Sequence, residues 1–113
     1  MAPVVYLVRD LLFVSRIRET AARLGLEVER AADAAGLHAA AREARLVIVD
    51  LRLPEALDAL DRLAADPATA GVRVVSFVDH EEVEAMRARG RGTVLAKGRF
   101  ASELPALLAA CRS

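Results

Sequence analysis

The sequence predicts a three-layer α/β/α sandwich, with helices covering both faces of a five-stranded parallel sheet. Short β-branched apolar runs alternate along the chain with longer segments whose apolar residues recur every three or four positions. The runs lack polar alternation, which suits strands buried on both faces. A chain of 113 residues with no internal repeat or low-complexity linker reads as one domain, large enough to bury roughly two thirds of its unfolded surface.

Val4-Val5-Tyr6-Leu7-Val8 is the first strand, and Asp10 opens the helix after it. Leu11, Val14, Ile17, Ala21 and Leu24 form that helix's apolar stripe, and Gly25 supplies a left-handed stop. Leu26 to Val28 is a weaker second strand, and Asp33 caps an alanine-rich helix ending near Ala44. Leu46 to Val49 is the clearest buried strand and ends at Asp50. Pro54 then starts a helix carrying Leu57, Leu60 and Ala64, closed before Pro67 and Gly71. Val72 to Val78 is a fourth strand, broken in polarity by Ser76, and Asp79 to Arg89 a helix of modest periodicity. Gly92 to Ala96 is the fifth strand. Phe100 anchors a loop before the last helix, whose stripe of Leu104, Leu107, Leu108 and Cys111 places the cysteine in the core. Right-handed crossovers then bring the carboxyl ends of the strands to one edge, where a ligand crevice belongs.

Composition narrows the function. The hydrophobic fraction is 55%, the charged fraction 28%, and 16 basic residues balance 16 acidic ones, so neither disorder nor a broadly polybasic nucleic-acid binder fits. No apolar run reaches membrane-spanning length, no secretion signal opens the chain, and one cysteine permits no internal disulfide. A soluble cytoplasmic domain is expected. Without a glycine-rich phosphate loop, a nucleophile elbow or a dinucleotide fingerprint, a free-standing metabolic enzyme is disfavoured.

Chemistry concentrates at the predicted strand ends: Arg9 and Asp10 after the first, Asp50 after the third, Ser76 at the fourth, Lys97 after the fifth. Together they offer carboxylate oxygens for a hard cation, a nucleophilic carboxylate, a hydroxyl and an ammonium able to neutralise a phosphoryl group. Asp50 stands out, because a carboxylate directly after four apolar strand residues needs solvent or partners.

Over essentially its whole length the chain resembles the receiver domain of two-component response regulators. Leu7-Val8-Arg9-Asp10, Leu46 through Pro54, Val74-Val75-Ser76 and Val94-Leu95-Ala96-Lys97 carry the resemblance. It implies a flavodoxin-like sheet of order 2-1-3-4-5; the chain is expected to be a single receiver-like domain spanning 1–113 with no output domain, or a piece of something longer. It implies that Asp50 is the phosphoacceptor, that Ser76 is the switch hydroxyl, that Lys97 contacts the phosphate, and that Asp10 and Asp50 hold Mg2+. Any catalysis would then be self-phosphorylation at Asp50 from a phosphodonor, and a histidine kinase would be the partner.

The sequence also departs from that family. Receivers place two acids at the end of the first strand, whereas this chain has Arg9 beside Asp10. Either Asp10 is the metal ligand and Arg9 replaces only the outer acid, or Arg9 takes the ligand position and opposes magnesium. Arg9 either modifies the pocket by pairing with Asp50 or points its guanidinium into solvent. Val94 stands at the aromatic switch position, Gly98 replaces the proline after the lysine, and no glycine-bearing loop follows Asp50. These changes resemble atypical or pseudo-receivers, which use the fold for protein contacts without phosphorylation. Arg87, Arg89, Arg91, Lys97 and Arg99 form a run of cations without an intervening acid. It reads as a solvated charge run, or as a face for an acidic protein partner or for a second copy through the fourth helix, fifth strand and fifth helix; nucleic acid is not expected, since the run lacks aromatic stacking residues.

Overall fold

The computed structural model describes residues 2–89 and 91–112. Strands Val4–Leu7 (β1), Val28–Arg30 (β2), Leu46–Asp50 (β3), Arg73–Val78 (β4) and Thr93–Ala96 (β5) form one parallel sheet in the order β2-β1-β3-β4-β5. The helices are Leu11–Arg23 (α1), Ala34–Ala41 (α2), Ala56–Ala65 (α3), Val83–Arg87 (α4) and Lys97–Ala109 (α5).

Strand alternation divides the core in two. Val4, Tyr6, Leu46, Ile48, Val75, Phe77 and Leu95 pack beneath α1 and α5, against Phe13, Ile17, Phe100, Leu104 and Leu108. Val5, Leu7, Val47, Val49, Val78 and Val94 pack beneath α2, α3 and α4, against Leu37, Leu60, Leu63 and Val83. At the carboxyl end of the first core Phe77 stacks between Phe100 and Phe13, with centroids 4.5 Å and 4.6 Å away.

Several boundaries move for local reasons. The α1 stop is a Schellman turn: Gly25 has φ 64°, and the Leu26 amide donates to the Ala21 carbonyl at 2.9 Å. That turn consumes Leu26 and Glu27, so β2 begins at Val28 rather than Leu26. On α1 the buried set is Phe13, Val14, Ile17, Thr20 and Ala21; Leu11, expected on the stripe, is 75% exposed. The alanine-rich α2 ends at Ala41, three residues short of the expected stop, and gives way to a turn.

Pro54 lies in a turn, α3 starts at Ala56, and its inward residues are Ala56, Ala59, Leu60 and Leu63, with Ala64 outside. The expected helix from Asp79 to Arg89 is shorter, a 3-10 turn at His80–Glu82 followed by α4. The last helix starts directly at Lys97, which puts Phe100 inside it and not in a preceding loop. Cys111 is buried, as its stripe requires.

Two glycines separate conformational need from mere presence. Gly92 has φ 77°, and a Cβ there would stand 2.7 Å from the Val74 carbonyl oxygen. Gly98 lies in α5 with nothing within 4 Å of its Cβ position. Gly92→Ala should lower stability by about 1 kcal/mol or more, whereas Gly98→Ala should be neutral or raise it by about 0.5–1 kcal/mol, both read from urea unfolding midpoints.

Candidate functional site

The carboxyl ends of β1 and β3 bring Asp10 and Asp50 together, and the group between them is Arg52. Asp50 is 2% exposed. Its Oδ1 accepts from the Arg52 backbone amide and from Arg52 Nε, each at 2.9 Å, and its Oδ2 accepts from Arg52 Nη2 at 2.8 Å. The same Nη2 donates to Asp10 Oδ2 at 3.1 Å. Asp10 Oδ1 caps α1 by accepting from the Leu12 amide at 2.9 Å. The guanidinium also lies over the aromatic stack, 5.6 Å from the Phe13 centroid and 5.7 Å from that of Phe77.

This geometry follows from local sequence. A strand-final Asp with its carboxylate turned toward the following amides makes an Asx-type turn, and the residue two positions on can fold its side chain back over it. The fork geometry of Arg matches a carboxylate bidentately, which no ammonium does. The neighbouring carboxylates hold the Arg52 guanidinium well above its ordinary range, the Asp50 hydrogen bonds most strongly, against the cost of burial. For Asp10, burial raises the carboxyl, but the Arg52 hydrogen bond, the Leu12 amide and the Arg52 charge together bring it below its ordinary value.

The remaining residues expected at the site are placed differently. Arg9 does not pair with Asp50: its Nη2 donates to Glu55 Oε2 and to the Ala32 carbonyl, the latter at 2.9 Å, because β1 ends beside the β2–α2 connection. Ser76 is fully buried, and its Oγ has no hydrogen-bond partner among the described residues. It lies across from Val49 and Val94, two residues before the end of β4, on the α3/α4 face with Val78. Asp50 continues the α1/α5 face of Leu46 and Ile48, so the hydroxyl and this carboxylate belong to opposite faces of the sheet. The residue that closes β4 is Val78, which has no hydroxyl. Lys97 reaches the site's rim, where its Nζ lies 2.8 Å from Asp79 Oδ1. That contact draws the Asp79 carboxyl below its ordinary range.

Arg52, with Asp79 beside it, is what the sequence reading missed. The available signal was an arginine two positions after a buried strand-final carboxylate, in a chain whose second acid at the β1 end is replaced by Arg9.

The residues present do not fit a magnesium ion. Magnesium demands close octahedral oxygen coordination, and the space between the two carboxylates is taken by a permanent cation bonded to both. Among the described residues no three His, Cys, Asp or Glu side chains are grouped to hold a metal ion.

The cation run after α4 is largely neutralised within the chain. Arg87 pairs with Glu84, Arg91 with Asp61, Lys97 with Asp79 and Arg99 with Glu103, while Arg89 is exposed. The expected basic face is therefore a set of ion pairs, since acids from α3, α4 and α5 and from the end of β4 fold onto it. Asp66 Oδ2 accepts from His38 Nε2, 2.7 Å away, and from Arg42 Nη2 at 3.2 Å. No helix of the described residues is long and apolar enough to cross a membrane.

Two outcomes follow. Because Ser76 Oγ is buried and unpartnered, Ser76→Ala should leave stability unchanged or raise it by up to ~1 kcal/mol in chemical unfolding, while a required hydroxyl would make it fall. Asp10 and Asp79 have depressed folded-state values relative to an ordinary 3.8. Their stabilisation is present above that value and lost as pH falls through the depressed ones, so melting temperature should drop below about pH 4. Asp79→Asn should flatten that drop.

No protein-family model matches the chain, and no curated protein matches it in sequence. Solved structures do match. A response regulator from Hahella chejuensis superposes with TM-score 0.77 at 17% identity, covering 100% of this chain and 96% of its own. A response regulator receiver domain from Rhodospirillum rubrum gives 0.71 at 23% identity, covering 94% and 90%. A de novo designed Rossmann 2x3 fold protein gives 0.69 at 16% identity, covering 94% and 85%. With its 2-1-3-4-5 parallel sheet, the chain has the fold of response regulator receiver domains.

Proposed function

We propose that this chain is a receiver-type signalling module that acts through protein contacts, with Asp50 held as a structural anion and not presented as a phosphoacceptor. The observation that carries this reading is the Arg52 fork. Among the described residues all three hydrogen bonds to the Asp50 carboxylate come from Arg52, and the same side chain reaches Asp10. An aspartate attacking a phosphoryl donor must expose one oxygen, and a divalent cation must lie where the guanidinium lies. The fork satisfies both carboxylates without either.

Two further features support the reading. Ser76, where the resemblance puts the switch hydroxyl, lies on the opposite face of the sheet from Asp50, Val94 stands where the resemblance expects an aromatic ring, and Lys97 is engaged with Asp79. The competing reading keeps Asp50 as a phosphoacceptor, Ser76 and Lys97 as its partners, Asp10 and Asp50 as Mg2+ ligands, and a histidine kinase as donor. It draws on the position of Asp50 at the carboxyl end of β3 and of Lys97 directly after β5. It requires the fork to open.

Amide-resolved NMR decides between them. Magnesium followed by beryllofluoride should leave the amides around Asp10, Asp50 and Lys97 unshifted in the unaltered protein, as in Asp50→Ala. Saturable shifts that vanish in Asp50→Ala would establish the phosphoacceptor reading instead.

A further inference from the structure

We propose that the Arg9–Glu55 pair is a latch that keeps Arg52 seated between Asp10 and Asp50, and so closes the acid pair to divalent cations. The proposal rests on the reading of Arg52 as the pocket's resident cation and adds what holds it there.

The β3–α3 connection, residues 51–55, carries no glycine and is fixed at both ends. At its start the Leu51 amide donates to the Phe77 carbonyl at 2.9 Å, the Arg52 amide to the Asp50 carboxylate, and the Leu53 amide to the Asp50 carbonyl at 3.2 Å. At its far end the link to the rest of the edge is Glu55, whose carboxylate accepts from Arg9. Arg9 in turn donates to Ala32, so a single guanidinium joins the connections that follow β1, β2 and β3. Arg52 is the second residue of this strap. The strap's position sets where its guanidinium can reach, so a shift of the strap carries the fork out of register with the two acids, and the Arg9–Glu55 pair resists that shift from outside the pocket.

The pair lies at the surface, with side chains 43% and 26% exposed. Ion pairs of this kind bias an equilibrium by a factor of about two to five. Opening the latch should therefore raise the population with Arg52 unseated by that factor, and the apparent cation affinity should rise with it, because affinity scales with the competent fraction. Arg9 is on this view a positioning residue, and its departure from the paired acids of receivers has a structural use.

The test follows hydrogen exchange at Arg52 Nε–H and paramagnetic broadening by Mn2+ in the unaltered protein, Arg9→Ala, Glu55→Gln and the reversed pair Arg9→Glu/Glu55→Arg. Arg52→Ala and the less disruptive Arg52→Gln serve as references for an emptied seat. Glu55→Gln isolates the ion pair, since Arg9 keeps its Ala32 bond. The expected result is exchange at Arg52 faster by about twofold to fivefold in both single variants, recovery in the reversed pair, and Mn2+ broadening of the Asp10 and Asp50 amides that is strongest in the Arg52 variants. Unchanged Arg52 exchange in Arg9→Ala and Glu55→Gln, with broadening gained in the Arg52 variants, would overturn the latch and leave the resident-cation reading standing. Arg52 variants as silent to Mn2+ as the unaltered protein would overturn both.

Discussion

A carboxylate that closes a central parallel strand is surrounded by backbone already engaged in the sheet. β3 is paired with β1 on one side and β4 on the other, and Asp50 sits at its end with almost no exposure. An ionised group so placed must find compensation within the chain. Arg52 is the nearest cation the chain can supply, and the turn that brings it back also fixes the start of the β3–α3 connection. Much of the carboxyl edge then follows: Asp10 is drawn to the same guanidinium, Glu55 is left for Arg9, and Asp79 for Lys97.

The fold was legible because its signals are redundant. Each strand is an apolar run, each helix has a stripe, and alternation between them admits few topologies. The errors arose where one local feature was read without its neighbours. Ser76 looks like the end of a strand because it interrupts an apolar run, yet the strand continues through Phe77, which pairs with Asp50 and fills the aromatic stack, to Val78. Arg9 looks like a pocket residue by its adjacency to Asp10, but the alternation that turns Asp10 toward the helix cap turns Arg9 the other way, toward Ala32 and Glu55. The cations from Arg87 to Arg99 look unpaired because no acid stands among them, yet Glu84 and Glu103 flank the run, and Asp79 and Asp61, the latter thirty residues from Arg91, fold onto it.

Fold similarity constrains the functional reading only loosely. This chain superposes comparably on natural response regulators and on a designed protein, and a fold does not by itself carry a chemistry. The functional reading rests instead on the electrostatic state of this chain's strand ends. Three carboxylates and two cations at Asp10, Asp50, Asp79, Arg52 and Lys97 are already matched into contacts, leaving one formal negative charge. A phosphoryl group entering there would add negative charge to a site whose cations are both in use.

The division of labour between the two cations has a physical reason. The seat between Asp10 and Asp50 is floored by the faces of Phe13 and Phe77, and it asks for a group that is flat, weakly hydrated and able to donate in two directions. A guanidinium meets all three conditions: it stacks on the rings, forks to Asp50 and spares a proton for Asp10. The Lys97 ammonium is compact and strongly hydrated, and it sits at the half-exposed rim where water completes its shell beside Asp79. An exchange of the two residue types would leave the buried carboxylate with a partner too small to bridge to Asp10 and too strongly hydrated for an aromatic floor. The Arg52 position is thus fixed by shape and solvation as much as by charge, which is why a cation of the same sign elsewhere on the edge does not substitute for it.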